Sequence, residues 1–278
     1  LSACTQNSSA ETSTEETTFA SAADGQNAEQ TPAATGPEKA ELGLTAEVKP
    51  ATDFTAKANA AVYDELDFDD KQEYEFATRG LIDAPETLEL KDEDGTILWS
   101  QEAYAFLDDY EKAPPDSVNP SLWENTKNNH AYGLFEVTDG IYQVRGYDMA
   151  NLTVVKGDTG WIVFDTLMSV ECSQAAMQLI EKNLGKFPVK AVIISHSHAD
   201  HFGGIAGVMA KEDKADETLS IEDQLASGKI PVITPVGFTE HSVKENVYAG
   251  KGMGRRSNYQ YGILLTPAWD SPPERSRS

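Results

Sequence analysis

The chain is short of basic residues, of cysteine and of long apolar runs. Against 46 Asp and Glu it carries only 22 Lys and Arg, a formal net charge of −24 over 278 residues. A chain this acidic has no basic face with which to hold nucleic acid or an anionic membrane surface. The charge serves solubility. The only two cysteines, Cys4 and Cys172, exclude a zinc site of the paired-cysteine kind. Cys172 falls in a helical pattern and reads as a small buried apolar residue. No stretch approaches the roughly 20 apolar residues of a membrane span. Histidine is scarce as well, five in all, and three of these fall within the six residues from His196 to His201.

The first residues, Leu1-Ser2-Ala3-Cys4, resemble the lipobox of bacterial lipoproteins, in which small residues precede a cysteine that is lipidated after cleavage. From Thr5 to about Pro37 the sequence is rich in Ser, Thr, Ala, Glu and Gln, with almost no large apolar residue. Such a segment cannot bury enough surface to offset its chain entropy. Residues 1–40 are therefore expected to be a disordered tether. The expected location is an exported lipoprotein, at the bacterial cell surface or in the periplasm. Contact with a membrane would come only through a lipid on Cys4.

Residues 41–132 read as a small α+β extension. Ala56 to Leu66 suits a short helix, and a second follows the acidic cluster Asp67 to Asp70. Leu88 to Trp99 looks like two short strands around Asp92-Glu93-Asp94-Gly95, and Glu102 to Tyr110 like a short helix. Near Gly133 the pattern changes. Strands are predicted at Leu134–Thr138, Ile141–Arg145, Asn151–Lys156 and Trp161–Asp165, punctuated by Asp-Gly turns. Ser169 can cap a helix running to Leu184, stopped by Gly185. Ala176, Leu179, Ile180 and Leu184 form its buried stripe. Lys190 to Ser195 is an apolar strand leading into the histidines, and a helix is predicted from about Phe202. Lys211 to Gln224 reads as an acidic, mobile insertion. Ile230–Thr234 reads as a strand and Thr239–Tyr248 as a helix, and Gly250 to Gly262 is glycine-rich. Strand, helix, strand and helix after a block of hairpins indicate an α/β sheet with helices outside it. Residues 133–265 form this domain. Residues 266–278 show no period and read as an irregular tail, from a frameshift or an early end of the reading frame.

In Ser195-His196-Ser197-His198-Ala199-Asp200-His201-Phe202-Gly203-Gly204, His196 and His198 are two apart at the end of a strand. Residues i and i+2 of an extended backbone point to one side, so both imidazoles can converge on one ion. Asp200 and His201, on the turn into the helix, can serve a second. Nitrogen donors with a carboxylate suit Zn²⁺, with Mn²⁺ or Fe²⁺ as alternatives. Gly203 and Gly204 let the chain approach its neighbours without Cβ clashes. Asp165, ending the neighbouring strand, can accept a hydrogen bond from a ligand imidazole. A pair of metals here would generate a hydroxide near neutral pH and polarise a substrate oxygen.

His-x-His-x-Asp-His after an apolar strand resembles the metallo-β-lactamase superfamily, whose fold is an αβ/βα sandwich with a dinuclear site at its edge. Further blocks are similar to the zinc-dependent alkyl sulfatase family: Asp116 to Trp123, Gly140 to Asp148, Gly157 to Val163, and Glu245 to Gly250 with Arg255-Arg256 and Tyr259 to Gly262. The resemblance implies hydrolysis of primary alkyl sulfates at two zinc ions, with sulfate displaced by attack at carbon. By position it implies that His196 and His198 hold one zinc and that Asp200 and His201 hold part of the other. Asp200 would act with a metal-bound water. It also implies that Arg255, Arg256, Tyr259 and Tyr261 lie near the sulfate, where a guanidinium fork suits a tetrahedral oxyanion. The family forms dimers through a region that follows these blocks.

The family also supplies later acidic and histidine ligands and a C-terminal alkyl-binding domain that have no counterpart here. The expected fold is therefore a partial metallo-β-lactamase sandwich with a sheet edge and apolar faces uncovered, and the expected product is a truncated chain of little or no activity. After His201 the only histidine is His241, a weak candidate for the missing ligand, and Glu240 and Glu245 are no better. The alternatives are another hydrolase of this fold, acting on a lactam, lactone or thioester, and a non-catalytic surface lipoprotein.

Overall fold

A computed structural model describes residues 50–108 and 112–265. The lipobox, the tether and the irregular tail lie outside the described residues. Two helices open the chain, α1 (Asp53–Glu65) and α2 (Gln72–Thr78). Thr52 caps α1 by accepting from the Thr55 N–H at 3.2 Å. Strand β1 (Leu81–Asp83) follows, then the hairpin β2 (Glu89–Lys91) and β3 (Ile97–Ser100) around the expected Asp92–Gly95 turn. A 3₁₀ turn at Glu102–Leu107 leads to α3 (Pro120–Asn129).

The main sheet is built from β4 (Gly133–Thr138), β5 (Ile141–Arg145), β6 (Leu152–Lys156), β7 (Trp161–Phe164), β8 (Val189–Ile193) and β9 (Val232–Ile233), with β1 added at the far edge. Its order is β1-β4-β5-β6-β7-β8-β9. Pairing is antiparallel as far as β7 and parallel from β7 through β8 to β9. Because β1 belongs to residues 41–132, the N-terminal extension completes the sheet rather than decorating it.

Alternation along the strands sets the two faces. In β6 and β7, Leu152, Val154, Trp161 and Val163 are buried, while Thr153, Val155, Ile162 and Phe164 are only half-buried. The buried face packs against α4 (Val170–Leu184), whose Ala176, Leu179 and Ile180 recur at helical spacing. Removing an aliphatic side chain of this size from water stabilises the fold by roughly 1.5–3 kcal/mol. Ser169 caps α4 by accepting from the Cys172 N–H, and Gly185 ends the helix with φ 85°.

Beyond β8 the structure departs from the sequence expectation in two places and adds a helix that the sequence reading did not predict. The helix expected from Phe202 is two short turns, α5 (Ala199–Phe202) and α6 (Ile205–Val208), broken at Gly203-Gly204. The insertion expected to be mobile is tied down. Its Ala215 is buried and donates its N–H to the Ile230 carbonyl at 2.9 Å, and α7 (Ile221–Ala226) follows. The glycine-rich stretch is helical. After α8 (Phe238–Ser242), a π-helical segment (Val243–Tyr248) leads into α9 (Gly250–Gln260). The end of α9 docks on α3, where the Asn125 amide donates to the Gln260 carbonyl at 2.9 Å. Leu265 completes a small cluster with Trp123, Leu107 and Val118.

The glycines separate into two kinds. A Cβ on Gly204 would be driven into the Ser173 hydroxyl and the carbonyls of Thr166 and Ser169. A Cβ on Gly252, in α9, would meet nothing within 4 Å. Gly204→Ala should therefore lower the unfolding free energy by about 3 kcal/mol through overpacking. Gly252→Ala should raise it by up to about 1 kcal/mol through helix propensity. Urea unfolding of the two variants checks both signs.

Candidate metal centre

Strands β7 and β8 run parallel, so their C-terminal ends open onto one edge of the sheet. Asp165 follows β7, and Ser195-His196 follows β8. In open α/β sheets such an edge is where ligands bind. The loop after β7 is strained: Asp165 and Leu167 have φ of 58° and 60°, in the left-handed region that non-glycine residues avoid. Several bonds hold it there. The Asp165 N–H donates to the Ile193 carbonyl at 2.9 Å and the Thr166 N–H to the His201 carbonyl at 2.8 Å. The Met168 N–H donates to Asp148 Oδ2 at 2.7 Å, and the Ser173 hydroxyl to the Thr166 carbonyl. Gly203 and Gly204 pass against the same loop, where their Cβ atoms would collide with the carbonyls of Met168 and Thr166.

This strained turn aims the Asp165 carboxylate at the histidine loop. Oδ1 accepts from the Ser195 N–H at 2.7 Å. Oδ2 accepts from the Ser195 hydroxyl at 2.7 Å and from His201 Nδ1–H at 2.7 Å. With its proton committed to Asp165, the Ser195 oxygen accepts from His196 Nδ1–H at 2.9 Å. The network puts a proton on Nδ1 of both His196 and His201, which leaves Nε2 as the metal-facing nitrogen: it carries the lone pair in His196, and in His201 once the Nε2 proton is lost.

Each of those nitrogens faces a second donor. His196 Nε2 lies 3.1 Å from His198 Nδ1, and His201 Nε2 lies 3.4 Å from Asp200 Oδ2. Two ligands on a tetrahedral zinc, each about 2.0–2.1 Å from it, are about 3.3 Å apart. Each pair therefore spans one edge of such a tetrahedron, and the donor types suit zinc. The ring centroids of His196 and His201 are 3.9 Å apart, so the two pairs adjoin. Each pair is open. Among the described residues, no three His, Cys, Asp or Glu side chains are gathered as a group that would hold an ion. His241 sits on α8 and makes no side-chain hydrogen bond or ion pair with the cluster among the described residues.

The four residues expected at the sulfate lie on or just beyond α9. Arg255, Arg256 and Tyr259 are exposed, and Tyr261 lines a cavity of about 500 Å³ with Arg145, His130 and Asp148. Among the described residues, no hydrogen bond or ion pair joins these four side chains to the histidine cluster. Three contributors have roles that the sequence reading did not give them. Asp148 accepts from the Ala150 and Met168 N–H groups, and Glu245 and Asn246 touch the histidine loop from the π-helical segment. All three sit in blocks shared with the alkyl sulfatases, which was the one signal available for them.

Burial lowers the basicity of His201, but hydrogen bonds to Asp165 and Asp200 outweigh it and lift its pKa to about 9. Burial pushes Asp165 and Asp200 up, and their bonds to His201, with those from Ser195 for Asp165, bring both below the usual carboxylate range. Burial, then the charges of His201 and His198, pull His196 down, which keeps its lone pair available. Burial raises Asp148 to about 6. For His201 the native state binds more protons than the unfolded chain, whose histidine titrates near 6.5, so stability falls as pH rises. In chelator-treated protein this contribution should be intact below about pH 6.5 and lost as pH rises through about 9. Asp165→Asn should flatten that alkaline decline, read by urea unfolding across pH. An alkaline limb equally steep in Asp165→Asn would rule out this assignment.

Comparison with known proteins shows what the chain resembles. Residues 145–266 match the model of the metallo-beta-lactamase superfamily. The chain is 47% identical over 219 residues to a linear primary-alkylsulfatase of a Pseudomonas species, covering 79% of this chain and 31% of that protein. It is 40% identical over 214 residues to the alkyl/aryl-sulfatase BDS1 of Saccharomyces cerevisiae, covering 77% and 31%. The solved structure of the stereoselective inverting sec-alkylsulfatase Pisa1 of a Pseudomonas species superposes with a TM-score of 0.64 at 44% identity, over 78% of this chain and 32% of that one. The chain thus spans about a third of the length of the curated relatives it matches. Residues 145–266 thus carry a metallo-β-lactamase superfamily domain, and the chain is similar over 77–79% of its length to alkylsulfatases.

Proposed function

We propose that this chain carries the histidine side of a metal-dependent alkyl sulfatase site, with a sulfate ester of an aliphatic alcohol as substrate. The observation that supports this best is the convergence of two donor pairs at tetrahedral spacing, on an edge where the relatives are alkylsulfatases. In this reading His196 Nε2 and His198 Nδ1 are donors to one zinc, and Asp200 and His201 Nε2 are donors to a second. Bound zinc supplies a Lewis acid for the ester oxygens and lowers the pKa of water.

The protein's own part is orientation. Asp165 holds His201 directly and His196 through Ser195, so neither ring can turn its lone pair away. Asp200 is proposed to take a proton from an attacking water. Arg255 and Arg256 are proposed as sulfate contacts. Neither forms an ion pair with another described residue, so both guanidinium forks are available to a tetrahedral anion. Tyr259 and Tyr261 are proposed beside them.

Because neither pair has a third donor among the described residues, zinc should bind weakly. Sulfate release from dodecyl sulfate should therefore be slow and should rise with zinc over concentrations well above those that saturate a closed site. His196→Ala and Asp200→Ala should bring it to background. A chelator-insensitive rate, or turnover of a lactam, lactone or thioester in place of the sulfate ester, would contradict the proposal.

A further inference from the structure

His198 is held differently from the other two histidines. Asp165 does not reach it. Its Nε2 instead lies 2.9 Å from Glu245 Oε2, and the same oxygen accepts from the Ser197 hydroxyl at 3.2 Å. Asn246, the next residue, grips the backbone on both sides of His198. Its Oδ1 accepts from the Ala199 N–H at 3.1 Å, and its Nδ2–H donates to the Ser197 carbonyl at 2.8 Å. The Asn246 amide also donates to the Ser242 carbonyl at 2.9 Å, which fixes its own orientation.

These two side chains come from the π-helical segment, where the Ala249 N–H donates to the Lys244 carbonyl at 3.0 Å in the i→i+5 pattern. Wide turns of this kind are rare and recur at functional sites. Here adjacent residues both reach one loop, Glu245 to the imidazole and Asn246 to the peptides around it.

An ionised carboxylate can only accept, so the proton on His198 must sit on Nε2 and the lone pair on Nδ1. Nδ1 is the atom that faces His196 Nε2 at 3.1 Å. Two lone pairs then meet at that distance, an arrangement that calls for a cation between them. We propose that Glu245 is a positioning residue that fixes the Nε2–H tautomer of His198, and that Asn246 holds the loop so that Nδ1 is the nitrogen presented to the metal. Glu245 does not fill the missing ligand position, because its carboxylate engages the nitrogen on the far side of the ring from His196. The metal role of Nδ1 rests on the function proposed above; the tautomer does not.

The test has two separate arms. Two-bond ¹H–¹⁵N spectra of the imidazoles in chelator-treated protein at alkaline pH should show His198 protonated on Nε2 in the parent. Glu245→Gln retains an acceptor oxygen and should keep that pattern. Glu245→Leu should give a mixture of tautomers. Zinc titration should show parent-like affinity for Glu245→Gln and a loss of about 10- to 100-fold for Glu245→Leu, as expected for an outer partner of a ligand imidazole. Rescue by glutamine separates positioning from a general loss of structure. Should Glu245→Leu fail to fold, the parent spectrum still decides, since a proton on Nδ1 of His198 overturns the inference. An unchanged His198 pattern in folded Glu245→Leu overturns it as well. Absence of zinc binding in the parent would count against the proposed function and leave the tautomer result standing.

Discussion

The arrangement of this protein's histidine edge depends on one carboxylate. Asp165 ends β7 in a left-handed backbone conformation and receives three hydrogen bonds, two from Ser195 and one from His201. Those bonds tie β7 to the loop after β8, orient His201 directly and orient His196 at one remove. A carboxylate buried to this degree is costly unless fully partnered. Here both oxygens are occupied, one of them twice, and the partner imidazole is drawn towards its charged form.

The backbone around Asp165 is arranged to permit this. The loop from Asp165 to Met168 holds two strained residues, and it keeps them because Asp148, His201, Ile193 and Ser173 all bond to it. Gly203 and Gly204 let the chain after His201 lie against the loop's carbonyls. Strain of this kind persists only where the surroundings over-determine it. The sheet supplies the rest, since β7 and β8 are parallel and deliver Asp165 and Ser195 to the same edge.

Much of this was legible in the sequence, for identifiable reasons. The Asp139-Gly140 turn and the β-branched runs mark β4 to β7, because the two-residue hairpin between β4 and β5 favours those turn residues. The cap at Ser169, the stop at Gly185 and the apolar stripe between them define α4. The spacing of His196, His198, Asp200 and His201 at the end of an apolar strand announces convergent donors, and Asp165 was identifiable as an acceptor only because it ends the adjacent strand. What was hidden depends on long-range partners. Leu81-Ile82-Asp83 is too short to reveal that it pairs with β4. The helix at Gly250–Gln260 runs against its glycine content and is held by docking on α3, an instance of packing overriding propensity. Helix α3, which Asn119 caps by accepting from the Ser121 N–H, was not expected, because its residues lack a clear apolar period. Glu245 and Asn246 act on a loop almost fifty positions earlier in the chain, a relation that no local spacing encodes.

The proposed function requires the pairs His196–His198 and Asp200–His201 to be metal donors oriented by outer partners rather than a self-contained hydrogen-bonded cluster. Zinc K-edge X-ray absorption on the zinc-loaded protein distinguishes the two. Metal donors should give nitrogen and oxygen neighbours at about 2.0–2.1 Å with imidazole outer-shell scattering, reduced in His198→Ala and unchanged in His241→Ala. A spectrum of hydrated zinc without imidazole scattering, or one indifferent to His198→Ala, would contradict it.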